Sequence, residues 1–353
     1  MLKRLSAREQ LARLALEFEP KIRQAFLESI AAIKSDIVLR DVIIRLERGD
    51  VNGAIDALHL DRAAFRPVER AIAEAFEGGG AATVSAMPVL REPAGGRAVM
   101  RFDVRAPSAE SWLSTHSSRL VSDLTDTTAI RARLVVGLER GLNPRAVALD
   151  IVGRLSRVTG QREGGTIGLT AQQALFVDNP DASGPSGARQ QLLSGDPEQL
   201  REYLRRGRRD KRFDRTVTQA IREEKPLPKA MVDKIVSRYQ DRLLLLRGET
   251  IAPTETLAAL NQSQQESYQQ AIDKGLINRQ DVRKVWKSAH DSRVRHSHQL
   301  LDGESVGFDE AFATPLGNRM RFPGDTSLGA SAADIVNCRC RVDYRIDFLA
   351  NLD

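Results

Sequence analysis

The chain has 353 residues, 41% hydrophobic and 28% charged, with 53 Lys plus Arg against 47 Asp plus Glu for a formal charge of +6. Single cores stop growing near roughly 250–300 residues, so two or three domains are expected, and the composition allows each to bury a core. No run approaches the ~20 apolar residues a bilayer span needs, and Met1–Leu5 has no apolar segment behind it, which excludes a spanning helix and a secretory signal. The excess of Ala, Leu and Arg over aromatics, which make up only 5%, leans towards helix.

In chain order, Leu11, Leu14, Phe18 and Ile22, then Phe26, Ile30 and Ile33, recur at helical spacing, with Pro20 expected to kink or divide that helix. A further helix around Val68, Ile72 and Phe76 is expected to end at Gly78-Gly79-Gly80, which reads as a hinge or loop. Met100, Phe102 and Val104 alternate with charged residues and predict a half-buried strand. Ser108 is the expected N-cap of the helix that follows, and Asn143-Pro144 marks a turn and a fresh helix start. Residues 159–169 and 177–188 read as loops, with Gly164-Gly165-Thr166-Ile167-Gly168 flexible. Helices return with Asp196-Pro197, with Asp214 as a cap, and after Pro226 and Pro228; beyond Gly303, short apolar pieces between Gly and Pro predict short strands and loops. The expected fold class is therefore α+β, predominantly helical. Its regions are a helical N-terminal one over 1–80, a strand-containing then helical one with loops over 81–195, and a third over 196–353 with a compact Cys/His-containing part at 280–345.

Charge gathers in Arg201–Arg215, where eight basic residues face three acidic ones for a net +5. Arg205, Arg206, Arg208, Arg209, Lys211 and Arg212 are the candidate nucleic-acid contacts, since clustered cations release counterions from phosphates; the alternative is a solvated helix face. The only two cysteines, Cys338 and Cys340, share one tripeptide, whose spacing suits a disulfide poorly and points to a reducing cytoplasmic setting. Three of the five histidines, His290, His296 and His298, lie within nine residues of one another. Together these residue types can form a Cys₂His or Cys₂His₂ zinc site, with His298, Cys338 and Cys340 as the candidate ligands. The alternative is thiols that pack and histidines that hydrogen-bond. His290, Asp291, His296, His298 and Asn337 also hold the residue types of a metal-dependent nuclease, although no carboxylate pair is spaced for two metals. The G-x-x-x-x-G-K-S/T, G-x-G-x-x-G and G-x-S-x-G motifs are all absent, which leaves nucleotide-binding and hydrolase readings without a handle.

The landmarks fall in a characteristic order: Arg209-Asp-Lys-Arg-Phe-Asp-Arg215, Ile251-Ala-Pro-Thr-Glu255-Thr, Trp286, Asp291-Ser-Arg293-Val-Arg295, His298, Asp302-Gly303, Phe308, Pro315-Leu-Gly317, Arg321-Phe-Pro-Gly-Asp325, Gly329-Ala and Asn337-Cys-Arg-Cys340. This order resembles the phage head morphogenesis family typified by Mu protein F and the SPP1 gene 7 product, the minor capsid proteins, over roughly residues 200–345. Pro253 stands where that family usually has Arg, and a proline there is expected to break or cap the helix.

The resemblance implies a non-enzymatic structural protein of the virion, at the interior or portal vertex of the phage head, and in the host cytoplasm during assembly. Implied partners are the portal and major capsid proteins and packaged double-stranded DNA, with roles in packaging or ejection and no membrane. It makes Trp286, Asp291, Arg293, Arg295, His298, Asp302, Gly303, Asp325, Asn337, Cys338 and Cys340 structural determinants of 196–353, with a structural zinc as the one cofactor in view. The rival is a metal-dependent nuclease or toxin-like enzyme using the His/Cys cluster; the family's C-terminal domain also occurs in polymorphic toxins beside a separate toxin domain.

Overall fold

A computed structural model describes residues 7–92, 95–179 and 184–347; Met1–Leu5 lies outside them. The architecture is α+β and predominantly helical. In chain order the main elements are α1 (Ala7–Asp36), α2 (Leu39–Glu47), α3 (Val51–Asp56), α4 (Arg66–Ala86), α5 (Pro107–Leu124), α6 (Thr128–Glu139), α7 (Pro144–Val152), β1 (Arg154–Leu155), β2 (Arg162–Glu163), α8 (Ala171–Val177), α9 (Ala188–Leu193), α10 (Pro197–Arg205), α11 (Asp214–Glu223) and α12 (Lys229–Asp273). The rest is β3 (Val282–Lys287), α13 (His296–Leu300), β4 (Ser305–Gly307), β5 (Phe312–Ala313), β6 (Arg319–Met320), α14 (Ala332–Ile335) and β7 (Arg341–Ile346). No helix among the described residues is long and apolar enough to cross a membrane.

The chain divides into two compact units, each assembled from separate stretches: residues 1–25, 67–119 and 249–353 form the first, and residues 26–66 and 120–248 the second. In the first unit β3 is the central strand of an antiparallel sheet in the order β4-β3-β7, with Trp286 opposite Val342 and Lys287 opposite Arg341. A core of Trp286, Leu301, Phe312, Met320, Phe322, Ile335, Cys338, Cys340 and Val342 packs around it. Lys284 points into this interior, fully buried, and its Nζ donates to the carbonyls of Glu310 (2.7 Å) and Arg321 (3.0 Å).

Several expectations change here, each for a packing reason. Pro20 and Pro253 lie inside continuous helices, α1 and α12, so neither divides or ends its helix. Gly78-Gly79-Gly80 is no hinge either: α4 runs through it, because these positions meet other groups too closely for a side chain. A Cβ would sit 2.9 Å from the Phe18 ring at Gly78, 2.3 Å from Ser263 Oγ at Gly79 and 2.4 Å from the Phe102 ring at Gly80. Residues 98–103 form no strand. Asp103 pairs with one side-chain amide instead: its N–H donates to Gln270 Oε1 (2.9 Å), and Gln270 Nε2 donates to its carbonyl (2.8 Å). Ser108 falls inside α5 and donates to Glu266 Oε1 (2.7 Å), so it is not the cap.

In the second unit the glycine cluster at 164–168 is buried and tied down, where flexibility was expected. Gly164 N–H donates to Asp241 (2.6 Å), Gly165 N–H donates to Gln240 (2.9 Å), and Lys34 Nζ donates to Gly164 O (2.7 Å). Gly165 adopts φ +91°, and a Cβ there would lie 2.6 Å from Ile151 O, so glycine is required. Asn143, Asp196 and Asp210 cap α7, α10 and a short turn before α11; Asp214 opens α11 and binds Arg209 rather than capping.

Two outcomes follow from the packing of the first unit. Gly80→Ala should destabilise the protein by ~1–3 kcal/mol in urea unfolding, because overpacking against Phe102 exceeds the ~1 kcal/mol of helix propensity gained; a stabilised variant would contradict the packing account. Burial, then the Arg321 charge, push the Lys284 ammonium down from the ordinary 10.5 to about 8. The unfolded chain therefore binds the extra proton between those values, and the cost of burying the charge is present below about pH 8 and relieved as pH rises towards 10.5. Wild type should gain stability relative to Lys284→Met across that window, and a flat difference would show that Lys284 does not titrate there.

Candidate functional site

His298 sits on α13, a single turn that follows Arg295, and its ring enters the core edge-on to Trp286 of β3 (5.3 Å, 75°). The thiols of Cys338 and Cys340 arrive from the turn before β7, where Asn337 adopts φ +55°, a left-handed conformation that asparagine tolerates well. Nδ1 of His298 lies 3.4 Å from Cys338 Sγ and 3.5 Å from Cys340 Sγ. All three residues are buried, and both thiols are free. On the other side of the ring, Nε2 is 3.2 Å from Asp334 Oδ1, off the axis of a linear hydrogen bond, so this carboxylate acts on the ring chiefly through its charge.

Asp334 is itself held by Ser297 Oγ (3.1 Å), Thr314 Oγ1 (2.7 Å) and Asn318 Nδ2 (2.7 Å). Burial would raise its carboxyl, but these bonds outweigh burial and keep it below the usual value. Within the cysteine pair, the bond from Cys338, helped by the His298 ring and the Trp286 indole against the cost of burial, holds Cys340 at about 5. Cys338 is pushed upward, first by that same bond and then by burial. The pair thus favours a thiolate on Cys340 and a thiol on Cys338.

The neighbouring landmarks hold the loops around this site. Arg339 clamps Asp291 with both guanidinium nitrogens, one at 2.6 Å, and holds that carboxyl at about 2. Arg295 donates to Val336 O, and Arg293 is exposed while its N–H caps Asp291 (2.9 Å). Asp302 accepts from Ser288 N–H (2.7 Å), and Gly303, at φ +86°, donates to Trp286 O (2.9 Å). Asp325 is buried and accepts the N–H groups of Arg321 and Ser327, each at 2.9 Å. Of the three clustered histidines only His298 reaches the thiols; His290 and His296 are exposed, and His290 lies 3.6 Å from Asp302. The residue set considered for a nuclease is therefore dispersed, with Asp291 committed to Arg339.

In the basic run much of the charge has partners within the second unit. Arg206 donates to Gln191 (2.8 Å) and Ser186 O (2.7 Å), and Arg209 binds Asp214 through two bonds of 2.9 Å. Arg212 forks onto Asp210, and Arg205 pairs with Glu198 and Glu202. Arg208, Lys211 and Arg215 are exposed.

Some groups were not legible in the sequence. Asp334 is a lone acid in a short apolar helix, and nothing in its spacing links it to His298, 36 positions earlier. His116 and Glu255 form a buried pair at 2.5 Å beneath the stack of Trp112 on Phe76. The second unit holds a buried network in which Arg133 and Arg189 share Asp150 and Asp178, and Arg154 and Arg189 share Asp233. A mostly apolar cavity of about 220 Å³ lies beside it.

The family model described as Phage Mu protein F like protein matches residues 198–343. The chain is 34% identical over 106 residues to Minor head protein GP7 of Bacillus phage SPP1, covering 30% of this chain and 32% of that protein. It is 35% identical over 106 residues to Uncharacterized protein YqbB of Bacillus subtilis (strain 168), covering 29% and 31%. It is also 34% identical over 97 residues to NAD(+)--arginine ADP-ribosyltransferase EFV of Enterococcus faecalis (strain ATCC 700802 / V583), covering 28% and 18%. The chain thus spans a third or less of the length of each of these relatives. No solved structure matches. Residues 198–343 are a domain of the phage head morphogenesis family, of the Mu protein F kind.

Proposed function

We propose that this chain is a minor head protein that joins the phage head during assembly by docking on the portal or the inner face of the capsid. The observation that carries this reading is the coincidence of the family match with the folded cluster: residues 198–343, which the family model matches, include the landmarks that build the first unit's sheet and its His298 site. Asp291, Arg295, Asp302, Asp325, Asn337 and the cysteines spend their polar groups on partners inside the domain, which suits structural determinants. Trp286 fills the core beside them.

Co-expression with the portal and major capsid proteins of the same phage tests this. The protein should sediment with procapsids and be retained through gradient purification, whereas heads formed without it at any stage, with the free protein left at the top of the gradient, would overturn the reading.

Contact with packaged DNA is the finer part of the proposal and falls to Arg208, Lys211 and Arg215, whose exposure lets a phosphate backbone reach them. Reversing these three to Glu should weaken binding to double-stranded DNA and lower the slope of log affinity against log salt by about one per lost phosphate contact. An unchanged slope removes the DNA contact and leaves the docking role. Metal-dependent plasmid cleavage lost in folded His298→Ala would establish the rival enzyme.

A further inference from the structure

We propose that His298 Nδ1, Cys338 Sγ and Cys340 Sγ together bind one zinc ion, with a water as the fourth ligand, closing the C-terminal loops onto the sheet. The three ligand atoms lie within 4.8 Å of one another. With Zn–N near 2.0–2.1 Å and Zn–S near 2.3 Å, the nitrogen–sulfur edge of a tetrahedral site is roughly 3.5 Å. The observed edges are 3.4 and 3.5 Å.

The hydrogen-bonding alternative serves the site less well. In either tautomer Nδ1 offers a single proton or a single lone pair, and two sulfurs face it. One lone pair accepts from one thiol, not from two, yet both sulfurs approach it equally. A cation at the common point satisfies all three atoms at once.

The surroundings are those of a ligand set. A carboxylate stands behind the histidine, 3.2 Å from Nε2, and is itself fixed by Ser297, Thr314 and Asn318. Cys340 N–H points at Cys338 Sγ at 3.5 Å, so the turn also donates to a ligating sulfur. Charge balances as well. Two thiolates and the Asp334 carboxylate oppose the divalent ion and the Arg295 guanidinium, which is bonded to Val336 O two residues before Cys338. The ion would tie His298 of α13 to the turn before β7, 40 positions further along the chain.

The full chain, purified from cells grown with added zinc, should carry one zinc per chain by elemental analysis. Replacing the zinc with cobalt(II) should give a thiolate-to-cobalt charge-transfer band and the visible bands of a tetrahedral ion, and chelation should lower the melting temperature by several degrees. Cys338→Ser and His298→Ala should lose the metal, while Asp334→Asn should bind zinc about 10–100-fold more weakly and keep the cobalt spectrum. Wild-type protein that is folded yet holds no zinc and gives no cobalt–thiolate band overturns the proposal, whether or not the variants fold. Full zinc occupancy in folded Cys338→Ser overturns the assignment to these residues. None of these readouts depends on head assembly, so the zinc site and the role in the head stand or fall separately.

Discussion

The first unit depends on the polar face of α12 between Thr254 and Gln270. Thr256, Asn261, Ser263 and Ser267 are fully buried there, and Gln262, Gln265, Glu266 and Gln270 nearly so. A buried amide or hydroxyl is costly unless bonded, and so is the backbone of an irregular segment with no strand or helix to pair it. Several of these needs meet each other, while Thr256 Oγ1, Asn261 Oδ1 and Gln262 Oε1 keep no hydrogen-bond partner. Asn261 donates to Pro323 O (2.9 Å), Thr254 Oγ1 accepts from Asn337 N–H (3.0 Å), Gln270 pairs with both backbone groups of Asp103, and Gln265 accepts from the Tyr344 hydroxyl (2.8 Å). The helix acts as a rigid rod of side-chain partners, and the loops take their positions from it.

Several of this chain's landmarks take their form from that helix. Pro323-Gly324-Asp325 passes close against α12: Gly324 has φ +86°, and a Cβ there would lie 3.4 Å from Ala258 Cα. Asp325 then closes the turn by collecting two N–H groups, and Asn261 takes the carbonyl just before it. Asn337 makes the same move for the cysteine turn, with its N–H given to Thr254 and its left-handed backbone aiming both sulfurs at His298. Landmarks far apart in the chain are neighbours because one helix receives them.

Legibility in the sequence followed the range of the physics involved. The predominantly helical character and the helix starts at Asn143-Pro144 and Asp196-Pro197 depend on residues a few positions apart, and these could be read. The failures depend on contacts from elsewhere. Gly78–Gly80 looks like a break until Phe18, Phe102 and Ser263 are seen filling the space its missing side chains leave. The alternation at Met100–Val104 has the period of a strand, but the partner is a glutamine side chain, which no periodicity reports. Pro253 sits in a helix whose burial outweighs the ~3 kcal/mol a proline costs in its interior. His298, Cys338 and Cys340 could be singled out by residue type, whereas Asp334 and its three donors could not.

The basic run shows why counting charge misleads where counting partners does not. Net +5 over fifteen residues suggests a phosphate-binding stripe, but Asp210 and Asp214 sit within it and Glu198 and Glu202 in the helix before it or at its start. Arg209 and Arg212 fork onto the two aspartates, and Arg206 spans from α9 to the Tyr239 hydroxyl. A planar guanidinium can make several bonds in one plane, which suits it to tying a turn between two short helices, and that work is done before any external ligand is met. The run is thus a turn held by its own bonds, with Arg208, Lys211 and Arg215 among its exposed side chains.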